Sequence, residues 1–179
     1  MVLYALIASL PQLKWDEAPH ITLEELTDST DLYLNSTRAE LFRKLSLSAD
    51  AADFPKKSFA ADYLAWETAF RNSIAKLRAA RLNLDAAPYL HADGAYETDA
   101  DRSVREAFAA GNPLEREKML DFARWQKIEE LEFGNRFNFN VLCAYKLKLE
   151  LLLKWKARDA GQSQKNLDLA AEEVRKEAV

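Results

Sequence analysis

The run Ser58-Phe59-Ala60-Ala61-Asp62-Tyr63-Leu64-Ala65-Trp66-Glu67-Thr68-Ala69-Phe70-Arg71-Asn72-Ser73-Ile74-Ala75-Lys76-Leu77 sets an apolar face against a polar one. Phe59, Tyr63, Trp66, Phe70, Ile74 and Leu77 recur every three or four residues. That spacing keeps them on one side of a helix for more than five turns. The cations Arg71, Lys76, Arg78 and Arg81 stand largely off that side. Ser58, a good N-cap, marks the start.

A second long pattern lies toward the C-terminus. Leu142, Tyr145, Leu149 and Leu152 form an inward stripe. On the other side Lys146, Glu150, Lys154 and Arg158 stand four apart, which predicts i,i+4 charge pairs along the helix. Asn138 is placed to cap it, with Phe137 stapled onto Leu142. Gly161 is expected to end it. Upstream, Asn112-Pro113 is a cap followed by proline at the first helical position, where a missing N–H costs nothing. Phe122, Trp125, Ile128 and Leu131 give that helix its apolar side, and Gly134-Asn135 weakens it.

Shorter helices are expected around these. Thr22-Leu23-Glu24-Glu25 spells a capping box, predicting a short helix to about Thr27. Thr37-Arg38-Ala39-Glu40 repeats the spelling, as does Thr98-Asp99-Ala100-Asp101, whose helix turns Val104 and Phe108 inward and stops at Gly111. Residues 14–20 and 83–94 read as loops. Residues 2–10 are short and apolar, and periodicity does not separate a strand from a buried helical turn there. The tail 162–179 carries a weak stripe (Leu167, Ala171, Val174) and reads as a frayed helix. The expected fold is mostly all-α: one helical domain over 1–179, built on two or three long amphipathic helices with short helices packed around them.

Composition agrees. The chain has 179 residues, the size of about one domain, with 49% hydrophobic and 30% charged residues. Four glycines and five prolines are too few for an all-β fold, which spends both on turns. The lone Cys143 excludes an intramolecular disulfide, and two histidines argue against a histidine-rich metal site. A net charge of −4 argues against a nucleic-acid-binding domain, which needs excess positive charge. The charge is unevenly spread: +4 over 56–84 and +5 over 136–158, against −5 over 1–55 and −6 over 85–135. Either these segments pair within the fold, or a basic face meets an acidic partner. The apolar opening is too short to span a bilayer and lacks the positive start of a signal peptide. A reducing cytoplasm is expected.

No residue is assigned to catalysis, to a cofactor or to a metal. Glycines at 94, 111, 134 and 161 are too dispersed to cradle a phosphate. Cys143 lies in an apolar stretch and reads as core. Glu17-Ala18-Pro19-His20 spells a single ExxH, but a di-iron bundle needs two on helices, and Pro19 interrupts this one. His91-Ala92-Asp93 lies in a loop, could hold a metal only with other ligands and reads as a surface turn, and Glu129, Glu130 and Glu132 read as a solvated face. Trp66 and Trp125 read as core, while Trp155 stands in a basic context, Lys154-Trp155-Lys156-Ala157-Arg158.

Several stretches carry a family resemblance. Tyr4-Ala5-Leu6-Ile7-Ala8-Ser9-Leu10-Pro11, then Ile21-Thr22-Leu23-Glu24-Glu25-Leu26, then the block from Phe137-Asn138-Phe139-Asn140 through Cys143-Ala144-Tyr145 to Lys154-Trp155, resemble a small uncharacterised bacterial family encoded among the genes of V/A-type rotary ATPases. More distantly, Arg71-Asn72-Ser73-Ile74-Ala75-Lys76-Leu77-Arg78 and Val141-Leu142-Cys143-Ala144-Tyr145 resemble helices of the C/d subunit, the adaptor between stalk and membrane ring. This chain is shorter than such a subunit and lacks its threefold repetition. The resemblance implies a non-enzymatic subunit or assembly adaptor, working without cofactor and docking on stalk or catalytic-head subunits. It would sit in the cytoplasm or at the inner face of the membrane through that complex. The candidate contact residues are Arg71, Arg78, Lys146, Lys154 and Arg158. Two other classes compete: a helical enzyme using Glu129, Glu130, Glu132 or His91, and a membrane-surface or peptide-binding module using 145–158.

Overall fold

In a computed structural model of the chain, the backbone is described for residues 2–91 and 98–177, and the side chains for 3–91 and 98–159. Among the described residues there are seven α-helices, two 3-10 turns and no strand. The helices are α1 (Val2–Ser9), α2 (Leu23–Asp31), α3 (Ser36–Lys44), α4 (Phe59–Arg81), α5 (Thr98–Ala109), α6 (Pro113–Glu132) and α7 (Phe139–Glu177). The 3-10 turns are Ala51–Asp53 and Ala87–Tyr89. The chain is mostly helical, as its periodicity predicts. No helix among the described residues is long and apolar enough to cross a membrane.

Local chemistry sets most of the boundaries. Thr22 accepts from the Glu25 N–H while the Glu25 carboxylate accepts from the Thr22 N–H, so the capping box at α2 is complete. Ser58 accepts from the Ala61 N–H, Asn112 from the Leu114 N–H and Asn138 from the Val141 N–H. Gly134, at φ +83°, supplies the left-handed backbone that turns the chain from α6 into α7.

Of the two readings open for residues 2–10, the helix is the one found, over Val2–Ser9. Four expectations are corrected. The cap of α3 is Asn35, which accepts from the Arg38 N–H; Thr37 lies inside the helix. Thr98 is already the first residue of α5. Phe137 stands half-exposed against Tyr4, ring centroids 4.4 Å apart, rather than folded back as a staple. Gly161 does not end α7, which runs unbroken from Phe139 to Glu177, 39 residues or about 58 Å at 1.5 Å per residue. An exposed glycine costs a helix only about 1 kcal/mol, too little to stop one. The tail stripe at Leu167, Ala171 and Val174 lies outside the described side chains, as do Asp93 and Gly94.

The core forms in two clusters with α7 between them. The larger gathers Tyr63, Trp66, Phe70 and Ile74 of α4, Val104 and Phe108 of α5, Leu120, Trp125 and Ile128 of α6, and Cys143, Leu147 and Leu151 of α7. The smaller gathers Leu6, Leu26, Phe42, Leu142 and Leu149. Trp66 and Phe70 stack at 4.7 Å, and Trp15 packs on both Phe122 and Trp125 at 5.5 and 5.6 Å. Burying one side chain of this size stabilises by about 1.5–3 kcal/mol.

Helix direction follows from cross-helix pairs. Lys148 meets Glu132, Lys154 meets Asp121 and Arg158 meets Glu117, so α6 and α7 run antiparallel. Glu67 meets Arg124, while Arg81 at the end of α4 and Arg116 at the start of α6 sit over the same Phe108 ring, so α4 and α6 are also antiparallel.

Candidate docking groove

Between α4 and α6 runs an open groove of about 550 Å³. One wall is the stripe Arg71, Ile74, Ala75, Arg78 and Ala79 of α4, continued by its C-cap Leu82 on the same side. The other is Glu117, Leu120, Asp121 and Arg124 of α6, with Lys154 of α7 beside it. Ile74, Ala79 and Leu120 are buried and close the floor. Leu84 and Tyr89, on the segment after α4, complete one end. Leu82, Leu84 and Tyr89 are 67%, 55% and 63% exposed, so an apolar rim faces outward at that end.

A chain of charges runs under and along this groove. Buried Glu67 receives two short bonds from Arg124, Nε to Oε2 and Nη2 to Oε1, both at 2.9 Å, and a longer one from Nε to Oε1 at 3.2 Å. It also accepts from Arg71 Nε at 2.7 Å. Arg124 Nη1 donates to Asp121 at 2.9 Å, and the other Asp121 oxygen accepts from Lys154 at 2.6 Å. Lys154 lies 3.9 Å and Arg158 3.4 Å from Glu117. Arg124 also sits over the Phe70 ring at 4.9 Å. Burial alone would depress its guanidinium, but the Glu67 and Asp121 carboxylates outweigh it and hold the charge firmly in place. Burial, with the Glu67 charge nearby, raises the Tyr63 phenol well above its ordinary range.

Three of the five basic residues singled out from the sequence, Arg71, Arg78 and Lys154, line this groove. Arg158 lies farther along the same ion chain through Glu117. Lys146 does not join them. It is 6% exposed, and its ammonium donates to the Phe42 carbonyl at 2.6 Å and the Arg43 carbonyl at 3.2 Å, at the C-terminal end of α3. That placement removes Lys146 from any exposed docking face. The predicted stripe of pairs along α7 is therefore mostly pairs between elements. Glu150 likewise accepts from the Leu47 N–H at 2.9 Å instead of bridging lysines. Much of the positive charge of α4 and α7 is thus neutralised by α6 within the fold.

The other sequence candidates are dispersed. Glu129 and Glu132 both reach Lys148, at 3.7 and 2.6 Å, while Glu130 pairs with Lys127. His91 is exposed, and its backbone exchanges two hydrogen bonds with the Asn72 side chain. Glu17 pairs with Lys14 on an exposed loop. Cys143 is buried, and burial pushes its thiol up to about 12. Trp155 lies under the Arg158 guanidinium at 5.3 Å, its indole nitrogen buried. No group of three or more metal-ligating side chains occurs among the described residues.

Sequence reasoning missed Glu67, Asp121 and Arg124, which organise the groove. Their pairing joins helices 57 residues apart in the chain, and no local pattern reports it.

Over residues 99–168 the chain is similar to a family described as a protein of unknown function (DUF2764). That stretch takes in the α6 wall of the groove and Lys154, but not the α4 wall. No curated protein and no solved structure matches the chain.

Proposed function

We propose that this chain is a non-enzymatic helical adaptor or assembly subunit of a bacterial V/A-type rotary ATPase, docking through the α4–α6 groove onto a stalk or catalytic-head subunit. The ATPase assignment rests on the resemblance carried by residues 4–11, 21–26 and 137–155. The docking role rests on one observation. Arg71, Arg78 and Lys154 line a groove whose rim, Leu82, Leu84 and Tyr89, is apolar and exposed. Exposed apolar groups beside cations are what a protein surface offers a partner. The reactive side chains favour this over an enzyme: the Cys143 thiol is buried and protonated, and the three glutamates of α6 are tied up by two lysines, Glu129 and Glu132 by Lys148 and Glu130 by Lys127.

The test is affinity capture of the tagged protein from its native host, read by mass spectrometry. Catalytic and stalk subunits recovered in fixed ratio are expected. Recovery of the protein alone, or with lipid only, overturns the assignment.

A further inference from the structure

We infer that the occupant of the α4–α6 groove is an amphipathic helix of a partner protein, about three turns long, with an apolar stripe toward the groove and a carboxylate set against Arg78. This deepens, and rests on, the docking role proposed above.

Shape comes first. The α4 wall runs from Arg71 to Leu82, about 16 Å of helix at 1.5 Å per residue. A helix of about eleven residues matches that length. The walls are two antiparallel helices, and a trough between packed helices accepts a third that lays its i, i+3, i+4 and i+7 side chains into it. A buried apolar floor and an exposed apolar rim give that stripe both depth and a lip.

Charge then selects the partner. Along the groove and its ion chain, five cations (Arg71, Arg78, Arg124, Lys154 and Arg158) face three carboxylates (Glu67, Glu117 and Asp121). Arg124 is saturated by Glu67 and Asp121. Arg78, midway along the α4 wall, is exposed and has no ion-pair partner among the described residues. A carboxylate on the incoming helix neutralises it in a partly desolvated setting, where such a pair is stronger than in open water. A basic helix is repelled, so the groove discriminates by sign as well as by shape.

The experiment places a photo-crosslinking residue in the full-length chain, Tyr89→p-benzoylphenylalanine, in the native host, and identifies the adduct peptide by mass spectrometry. The expected adduct lies in a segment with apolar residues at helical spacing and at least one carboxylate beside them. A synthetic peptide of that segment is expected to bind the full-length protein. Arg78→Glu is expected to weaken it about tenfold or more and to reduce its salt sensitivity. Exchanging the peptide carboxylate for lysine is expected to restore most of the loss. Arg78 is exposed, so the variant keeps the wild-type circular dichroism, which is checked alongside. An adduct with a second copy of this chain, an adduct with lipid, no adduct, or binding indifferent to Arg78→Glu each overturns the inference. The two proposals separate cleanly. An acidic helix from a protein outside the ATPase supports the groove inference and removes the ATPase assignment. ATPase subunits recovered by affinity capture, with no adduct at Tyr89, do the reverse.

Discussion

The Arg124 guanidinium and the Glu67 carboxylate form a two-point contact, both bonds at 2.9 Å, beneath the groove between α4 and α6. The Glu67 side chain is 3% exposed and that of Arg124 15%, so neither charge is well hydrated. Arg124→Met leaves Glu67 buried with only Arg71 to balance it. A loss of about 3 kcal/mol is expected, within the range for breaking one side of a buried pair. Replacing both at once, Glu67→Leu with Arg124→Met, is expected to recover most of it. Urea unfolding of the two single variants and the double variant at neutral pH measures this. A loss below about 1 kcal/mol for Arg124→Met would mean that the surrounding apolar packing, not the ion chain, aligns these helices.

Glu150 titrates against its setting. Burial raises its carboxyl above the ordinary value, only partly offset by the Leu47 N–H and the Lys146 charge. A carboxyl raised in the folded state opposes folding once ionised, and that opposition fades as pH falls through the folded value toward the unfolded one. Glu150→Gln keeps an acceptor for Leu47 without the charge. It is expected to gain Tm relative to wild type at pH 7 and to lose the gain near pH 4. A difference independent of pH would show that Glu150 is no more costly charged in the fold than out of it.

Cys143 is buried in the larger cluster, and burial pushes its thiol up to about 12. The thiolate is the reactive form, so the native protein is expected to resist a thiol reagent at pH 8 and to react fully in denaturant. Rapid modification of the folded chain at pH 8 would place this stretch of α7 at the surface.

Gly161 lies within α7, exposed, with nothing within 4 Å of the space a methyl group would fill. Gly161→Ala is therefore expected to stabilise the C-terminal part of this helix by up to about 1 kcal/mol. Slower amide exchange around residue 161 would register it. Unchanged or faster exchange would count against a continuous helix there.

The sequence revealed helices where one face is apolar and the other is not. In α4 the spacing of Phe59, Tyr63, Trp66, Phe70, Ile74 and Leu77 names five buried residues and, in Leu77 near the helix end, one partly buried, because a neighbour covers one side. In α7 the same method placed Lys146 among solvent-facing charges, yet it is buried. The reason is position: α7 touches α1, α2, α4 and α6, so it has no single wet side over 142–152. A lysine on an encircled helix must find oxygen inside the fold, and Lys146 finds it in carbonyls at the end of α3. The groove was half legible. Arg71, Arg78 and Lys154 stood out as surplus charge, whereas Glu67 and Asp121, which anchor the ion chain, pair across helices that sequence distance hides.

The central place of α7 carries a consequence for how the molecule comes apart. Leu142 and Leu149 belong to the cluster with Leu6, Leu26 and Phe42, while Cys143, Leu147 and Leu151, interleaved on the same turns, belong to the cluster with Trp66 and Phe70. Unwinding any turn over 142–151 therefore withdraws side chains from both clusters together. The small N-terminal helices and the α4–α5–α6 layer are two ends of one cooperative transition rather than parts that can melt in sequence.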